Sequence, residues 1–437
     1  MGRRVDSLRA LRRAGHRQQA RHVRRLRGLM AAAAEVLTGD RRIDEARRSS
    51  FMIRNGHISR WLGPQRIDTP TPVDRELGKQ IPDPIGWFGL AFSDEVGPGQ
   101  VFTSRFLDED VVLYRTRAGV LRAVRPYCPH LGAHLGLGRV EGEDLVCAFH
   151  AFGYGPDGAC VRTGYGTKPP RIGLQRLTVR ENASGMILVW YHPEGKPPDW
   201  EVPDLPTEGF TPWAHATIDA IGHPQELMEN PIDFGHFGTY HEMGDAIDGS
   251  VSFEPHRYTA KLRVKPFATF EIKPRPGVRL PLPRRLRDMT LVVHVTTHGV
   301  GLVLGDMFLP GGRQLLRVLA LPSVQADGRM RIRLGAAVVR PDSWPTLLRP
   351  FRDRLLGAGA RLTLRLILDF SFNEDRTGSD IPIWATKKYV THPPVAEGDG
   401  PLSEYRRWAR QFYPAVPRAE RVNPTAAADD PREGARR

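Results

Sequence analysis

Along the chain the rhythm of apolar and polar positions changes twice. Residues 1–80 show no sustained period: an Arg-rich, Ala-containing stretch gives way to a polar segment punctuated by Pro64, Pro70 and Pro72. This part reads as a basic N-terminal extension, partly helical or disordered. From Ile81 onward short apolar runs stand between glycines and prolines, among them Val111-Val112-Leu113-Tyr114 and Met186-Ile187-Leu188-Val189-Trp190-Tyr191. Such runs, rich in β-branched and aromatic residues and bounded by turn formers, predict a small all-β domain over residues 81–200. Pro193, Pro197, Pro198, Pro203 and Pro206 mark a connection, and a second domain is expected over residues 201–416. In it Met330, Ile332, Leu334, Ala336 and Val338 alternate with Arg329, Arg331 and Arg333, a period of two that sends apolar groups to one sheet face and guanidinium groups to the other. Tyr258 to Ile272 and Met289 to Leu304 predict two more strands or strand pairs. Ser343 is placed to cap a helix carrying Leu347, Leu348, Phe351 and Leu355; a break is expected at Gly357 and Gly359, followed by a second run with Leu362, Leu366 and Phe370. Residues 417–437 are polar and rich in Ala, Pro and Arg, and read as a disordered tail. The chain shows no internal repeat.

A chain of 437 residues exceeds what one core usually holds, which agrees with two domains. The net charge of +14 invites a nucleic-acid or acidic-membrane reading, but residues 1–30 hold ten arginines against the single acid Asp6, which accounts for nine of those charges. Basicity therefore belongs to the appendage, and a nucleic-acid partner is not expected. The three cysteines, Cys128, Cys147 and Cys160, are too few and of the wrong parity for a secreted disulfide scaffold, so a reducing cytoplasm fits. No apolar run approaches the ~18 residues that span a bilayer. The Arg3-Arg4 pair lacks the long apolar core an export signal needs.

The chemistry is concentrated in two motifs. The first is Cys128-Pro-His130, sixteen intervening residues, then Cys147-Ala-Phe-His150. Two thiolates and two imidazoles, paired Cys/His and Cys/His, are the ligand set of a Rieske [2Fe-2S] centre, in which two histidines replace two cysteines on one iron. A zinc site pairs Cys with Cys and His with His, which this spacing does not do. The glycine-bearing loops Leu131-Gly132-Ala133-His134-Leu135-Gly136 and Phe152-Gly153-Tyr154-Gly155 let backbone N–H groups come close to cluster sulfurs. His134 has no partner at ligand spacing and reads as structural; Cys160 reads as a small buried apolar residue.

The second motif is Glu226-Leu-Met-Glu-Asn230-Pro-Ile-Asp233-Phe-Gly-His236-Phe-Gly-Thr-Tyr-His241. Two histidines and a carboxylate on one face of an Fe(II) leave positions open for O₂. His236 and His241 are five apart, an interval that a regular helix does not align, so a bulged turn eased by Gly235 and Gly238 is expected. Asn230, Asp233 and His236 recur at three and are expected to share a face. The carboxylate must be distant: Asp380 ranks first, Asp375 second, and Asp369 third.

With both motifs in place, the chain from about Gly86 to about Tyr413 resembles the oxygenase components of Rieske non-haem iron oxygenases, and within them the 3-ketosteroid 9α-hydroxylase and cholesterol 7-desaturase branch. Gly86-Trp-Phe88, Cys128-Pro-His-Leu-Gly-Ala-His134, Met228-Glu-Asn230, Asp380-Ile-Pro-Ile-Trp384 with Lys387 and Tyr389, Asp399-Gly-Pro, Arg406-Arg-Trp408 and Gln411-Phe-Tyr413 carry the likeness. It implies an α+β protein, with an all-β Rieske domain followed by a helix-grip catalytic domain built on an antiparallel sheet. It implies cluster ligands Cys128, His130, Cys147 and His150, iron ligands His236, His241 and Asp380, and Asp233 as an acidic bridge to His150 of a neighbouring subunit in a homotrimer. The implied activity is hydroxylation or desaturation of an apolar ring substrate, a steroid or sterol, with O₂ and electrons from NAD(P)H through a separate flavin/ferredoxin-type reductase. The chain departs from the family at Ala148, Ala151-Phe152 and Ser379, the last of which keeps Asp375 open as the ligand. An aromatic-ring dioxygenase or O-demethylase is the alternative within the superfamily; a Rieske electron carrier and an iron-sulfur DNA-binding sensor are the alternatives outside it.

Overall fold

The computed structural model describes residues 51–54, 57–61, 81–241, 249–264, 269–271, 279–281, 290–326, 328–341, 349–372, 379–390 and 392–414. Most of the N-terminal extension, the expected cap Ser343, Asp375 and the tail 417–437 lie outside the described residues. The chain divides into two units, Met1–Phe51 and Met52–Arg437, and both metal-ligating motifs belong to the second.

Short strands make up the first half of that unit: β1 Gly86–Phe92, β2 Val101–Phe106, β3 Glu109–Arg115, β4 Leu121–Val124, β5 Arg139–Glu141, β6 Asp144–Val146, β7 Gly153–Tyr154, β8 Cys160–Arg162, β9 Arg176–Leu177, β10 Val179–Asn182 and β11 Met186–Tyr191. They form three antiparallel sheets, ordered β9-β4-β3-β2, β8-β7-β6-β5 and β10-β11-β1. The Pro-rich stretch after β11 contains no further helix or strand before residue 214. A large sheet comes next, of β12 Ala214–Ile221, β13 Gly249–Phe253, β14 Arg257–Val264, β15 Leu291–His298, β16 Leu302–Phe308, β17 Gln314–Gln325 and β18 Arg329–Val338. These strands are antiparallel in the order β12-β18-β17-β16-β15-β14-β13, and His57–Trp61 runs parallel to β12 beyond that edge. The expected run from Met289 to Leu304 is the hairpin start β15-β16.

The alternation in β18 behaves as the period of two requires on its apolar side: Met330, Ile332, Leu334 and Ala336 are buried. The long helix Arg349–Ser371 packs against β12 and β18. The arginine side is not left in water. Arg331 pairs bidentately with Asp219 at 2.6 and 2.8 Å. Arg333 is 3% exposed and donates to Ser104 Oγ at 2.9 Å. Burial lowers its guanidinium to about 10. The β1–β2 segment thus covers the face that the sequence pattern alone marks as polar. β1 is buried at all seven positions because β11 pairs with it and the large sheet lies against it.

The described chain also holds a separate strand pair, Thr269–Glu271 with Arg279–Pro281, an edge strand Phe51–Arg54 beside His57–Trp61, and five α-helices: α1 Pro224–Glu229, α2 Phe234–Thr239, α3 Arg349–Ser371, α4 Asp380–Thr386 and α5 Leu402–Ala409. The break expected at Gly357 and Gly359 does not occur, since α3 passes through both. Glycine weakens a helix interior without forbidding it, and packing of the helix on the sheet outweighs that cost. The buried side of α3 is Ala360 and Leu364, while Phe351, Leu355, Leu362 and Leu366 are exposed. Among the described residues no helix is long and apolar enough to cross a membrane.

One glycine in the hairpin between β15 and β16 is set by a close approach: a Cβ on Gly301 would collide with the Trp87 carbonyl oxygen and sit 3.1 Å from the Phe88 ring. Gly301→Ala is expected to lower stability by about 1–3 kcal/mol through overpacking. Gly359→Ala, in open space on α3, is expected to raise it by about 1 kcal/mol. Urea denaturation of the two variants checks both signs.

Candidate metal centres

Cys128 and His130 lie on the loop between β4 and β5, and Cys147 and His150 on the loop between β6 and β7. Each loop folds back on its cysteine. Gly132 N–H donates to the Cys128 carbonyl at 2.9 Å, and Ala151 N–H to the Cys147 carbonyl at 3.1 Å. Ala151 sits at φ 55°, a left-handed conformation that costs a side chain energy and is usual for glycine. Its methyl group fits because Gly164, facing it, has no side chain. The loop tips bring the rings of His130 and His150 to 4.8 Å between centroids, and His130 stacks on Phe152 at 4.2 Å.

Both sulfurs are buried. Burial pushes the Cys147 thiol up, and the nearby Cys128 sulfur adds to the effect. Tyr154, itself fully buried, places its hydroxyl 2.9 Å from Cys128 Sγ. Burial, then Cys128, raises the Tyr154 phenol well above its ordinary range, so it remains a donor. Two buried sulfurs beside two partly exposed imidazoles, with a hydroxyl aimed at one sulfur, form a donor set that fits a mixed Cys/His [2Fe-2S] cluster. His134 stays outside it: Nδ1 accepts from Gly136 N–H at 3.1 Å and Nε2 faces Asp110 at 3.2 Å. Cys160 packs in the apolar cluster with Leu145 and Leu174.

The second group is built from two chain segments. His223 caps α1, its Nδ1 accepting from Gln225 N–H at 3.1 Å, and Pro224 occupies the first turn, where its missing N–H is harmless. All six α1 residues are buried. A 3-10 turn, Asn230–Ile232, comes next, and at Asp233 the backbone leaves the helical region with φ −80° and ψ 87° before α2 begins. The kink redirects the chain between Asn230 and His236, and the Asp233 carboxylate lies 3.5 Å from His236 Nδ1. Asn230 instead donates to Asp380 Oδ2 at 2.8 Å. The Asp233 side chain is 39% exposed. At the end of α2 the His241 N–H reaches the His236 carbonyl, five residues back, at 3.4 Å. That is the widened turn which the five-residue interval requires.

His236, His241 and Asp380 converge, with one donor atom from each lying within 4.8 Å of the others. His241 Nε2 is 3.2 Å from Asp380 Oδ1. His236 Nδ1 lies 2.5 Å from the Asp233 carbonyl. Nδ1 therefore carries the proton, which leaves a lone pair on Nε2. That Nε2 is buried without a hydrogen-bond partner, an orphan a metal would satisfy. Two imidazoles and one carboxylate, with His236 Nδ1 and Asp380 Oδ2 already occupied, fit Fe(II). Of the rival carboxylates, Asp369 lies on α3 outside this group and Asp375 is outside the described residues.

A buried polar frame, whose role the sequence does not disclose, holds the two segments together. Glu226 pairs with Lys387, and Glu229 pairs bidentately with Arg406, one contact at 2.7 Å. Arg406 also lies 4.5 Å over the Tyr389 ring. Tyr258 donates to the Met228 carbonyl, and Gln225 donates to Tyr389 at 3.3 Å. Burial raises the Glu226 carboxyl and Lys387 opposes that rise. The sequence signal is two acids, three apart, in an otherwise apolar stretch, a pattern that surface helices share.

The Rieske [2Fe-2S] domain family matches residues 86–172, and the 3-ketosteroid 9α-hydroxylase C-terminal domain family matches residues 189–316 and 370–413. A cholesterol 7-desaturase from Xenopus laevis is 28% identical, over 80% of this chain and 77% of its own. A probable 3-ketosteroid-9-alpha-monooxygenase oxygenase component from Rhodococcus rhodochrous is 25% identical, over 82% and 85% respectively. Dicamba monooxygenase bound to dicamba has a similar fold at 16% identity, with a TM-score of 0.51 and coverage of 75% of this chain and 96% of that one. The terminal oxygenase of carbazole 1,9a-dioxygenase from Novosphingobium sp. KA1 also has a TM-score of 0.51 at 16% identity, covering 77% and 95%.

Two outcomes are expected. Tyr154→Phe removes a donor to a cluster sulfur and lowers the reduction potential by an amount on the order of tens of millivolts, which protein-film voltammetry measures. His223, fully buried, is lowered from 6.5 to about 3. The folded state then binds fewer protons than the unfolded one, so its contribution is complete above pH 6.5 and declines as pH falls, by at most about 1.4 kcal/mol per pH unit. His223→Asn, which keeps a capping side chain, is expected to flatten the slope of urea midpoints between pH 6.5 and 5.

Proposed function

Because the chain belongs to the Rieske non-haem iron oxygenases, joining a Rieske [2Fe-2S] domain to a 3-ketosteroid 9α-hydroxylase C-terminal domain, we propose that it hydroxylates or desaturates a steroid or sterol ring system. The observation that carries this reading is the convergence of His236, His241 and Asp380 around the orphaned Nε2 of His236, in a chain that also presents the Cys₂His₂ set. Bound at these donors, the cluster supplies electrons and ferrous iron activates O₂. Cys128, His130, Cys147 and His150 hold the first group; His236, His241 and Asp380 hold the second. Asn230 fixes the Asp380 carboxylate through Oδ2 and leaves Oδ1 toward His241. The Asp233 carbonyl sets the tautomer of His236.

Electrons come from NAD(P)H through a separate flavin/ferredoxin-type reductase, since the chain has no dinucleotide-binding fingerprint. Exposed Phe149 and Tyr165 lie against His150, an apolar surface that favours a subunit contact there. A homotrimer, with the exposed Asp233 of one subunit meeting His150 of the next, uses that surface and shortens the electron path. Three cysteines without a disulfide favour the cytoplasm.

His236→Ala is expected to abolish product formation from sterols or ketosteroids with a surrogate reductase, while the cluster's paramagnetic resonance spectrum stays intact. Retained product formation would overturn the iron assignment. Turnover confined to aromatic acids in the same mass-spectrometric panel would overturn the substrate class.

A further inference from the structure

A cavity of about 420 Å³ opens at the Ala214 end of β12, at the opposite end of that strand from α1. Its wall joins three parts of the chain: Phe92 at the end of β1, Phe210 and Trp213 of the Pro-rich connection with His215 just beyond, and Arg317 and Arg340 at the ends of β17 and β18. None of these residues belongs to either metal-ligating group.

The charged groups of the wall differ in whether they are already engaged. Arg317 grips Asp306 with two contacts at 2.7 and 3.0 Å, donates to the Pro206 carbonyl at 2.7 Å, and lies 4.6 Å over the Phe210 ring. The acid of the wall, Asp94, is held by His215 Nε2 at 3.0 Å, and the His215 ring stacks on Phe92 at 4.3 Å. Arg340 is different. Its backbone N–H donates to the Gly209 carbonyl, yet its guanidinium has no carboxylate partner among the described residues. Its Nε is buried without any hydrogen-bond partner. Arg340 as a whole is only partly buried and lines the cavity, so it presents there a cation with no carboxylate partner among the described residues.

We propose that this cavity is a second binding site, specific for a small organic carboxylate with an apolar, ring-bearing body. A planar carboxylate matches one guanidinium edge in a bidentate pair. A doubly charged phosphate would need more than the single cation that lacks a carboxylate partner among the described residues of the wall. The cavity is larger than a carboxylate group requires and falls among volumes of ordinary small-molecule sites, about 300–1,000 Å³. Phe92, Phe210 and Trp213 supply aromatic surface for the remainder. A ligand there touches β1, the connection and the large sheet at once, so it stabilises their association by binding the folded state alone.

The test is isothermal titration calorimetry on the full-length enzyme loaded with its cluster and iron, using 2-naphthylacetate, its neutral amide 2-naphthylacetamide, and inorganic phosphate as probes. The carboxylate is expected to bind and to raise the unfolding temperature. The amide, and the carboxylate with Arg340→Gln, are each expected to bind at least about tenfold more weakly, the loss that follows from removing a charge-assisted hydrogen bond. Arg340→Lys, which keeps the charge, retains most of the binding, and His236→Ala leaves it unchanged. Visible absorbance of the cluster certifies that each variant is folded. Absence of binding to the wild type at millimolar carboxylate overturns the proposal. So does equal binding by Arg340→Gln, or phosphate binding as tight as the carboxylate.

Discussion

A carboxylate must be held against two histidines that lie far from it in the chain, and the candidate iron centre exists only if it is. The hydrogen bond that joins the segments, Asn230 to Asp380, spans 150 positions. One such bond is worth only about 0.5–1.5 kcal/mol net, or about 1.5–3 to a charged group, too little to order two segments alone. The rest comes from the frame behind it. Glu226 and Glu229 on the buried helix α1 reach Lys387 and Arg406, which lie beyond Asp380 in the chain, so two further crossings back up the one that holds the carboxylate. The Glu229–Arg406 pair, with side chains 11% and 12% exposed, carries a large desolvation cost. The value of both pairs here is geometric, since donors must meet to within a few tenths of an ångström to hold a metal.

The order of the two centres in the fold has a similar logic. One cluster loop joins β4 to β5 and the other closes the antiparallel β6–β7 pair, so four donors within residues 128–150 face one another without help from distant chain. The β module is in turn fastened to the large sheet by close packing, with Gly301 against Trp87 and the buried Arg333 reaching Ser104. A buried guanidinium whose Nε has no partner is an expensive fastening. It is tolerated because the same strand, β18, buries Met330, Ile332, Leu334 and Ala336 on its other face.

How much the residues disclose depends on the range of the interactions involved. The Cys/His pairs are legible because each pair lies within one tight loop, where spacing nearly determines geometry. The five-residue interval between His236 and His241 announces a widened turn, and the turn is there. Asp380 can be ranked but not chosen from spacing, because its meeting with the histidines is a tertiary event. The kink at Asp233 escapes notice since Asn230, Asp233 and His236 keep a helical interval on both sides of it. Gly357 and Gly359 mislead for the opposite reason: local propensity argues for a break, and packing on the sheet overrides it. Arg333 looks like a solvent-facing residue because period-two alternation reports which side is apolar, and says nothing about what covers the other side.

If one polypeptide holds two inorganic centres, one feeding electrons to the other, its metal content must show both. Iron and acid-labile sulfide, quantified per chain after anaerobic purification and read with electron paramagnetic resonance of the dithionite-reduced protein, decide the matter. About three irons and two sulfides per chain are expected, with a mixed Cys/imidazole cluster signal. About two irons with that signal would leave only an electron carrier, and absence of the signal would contradict both centres together.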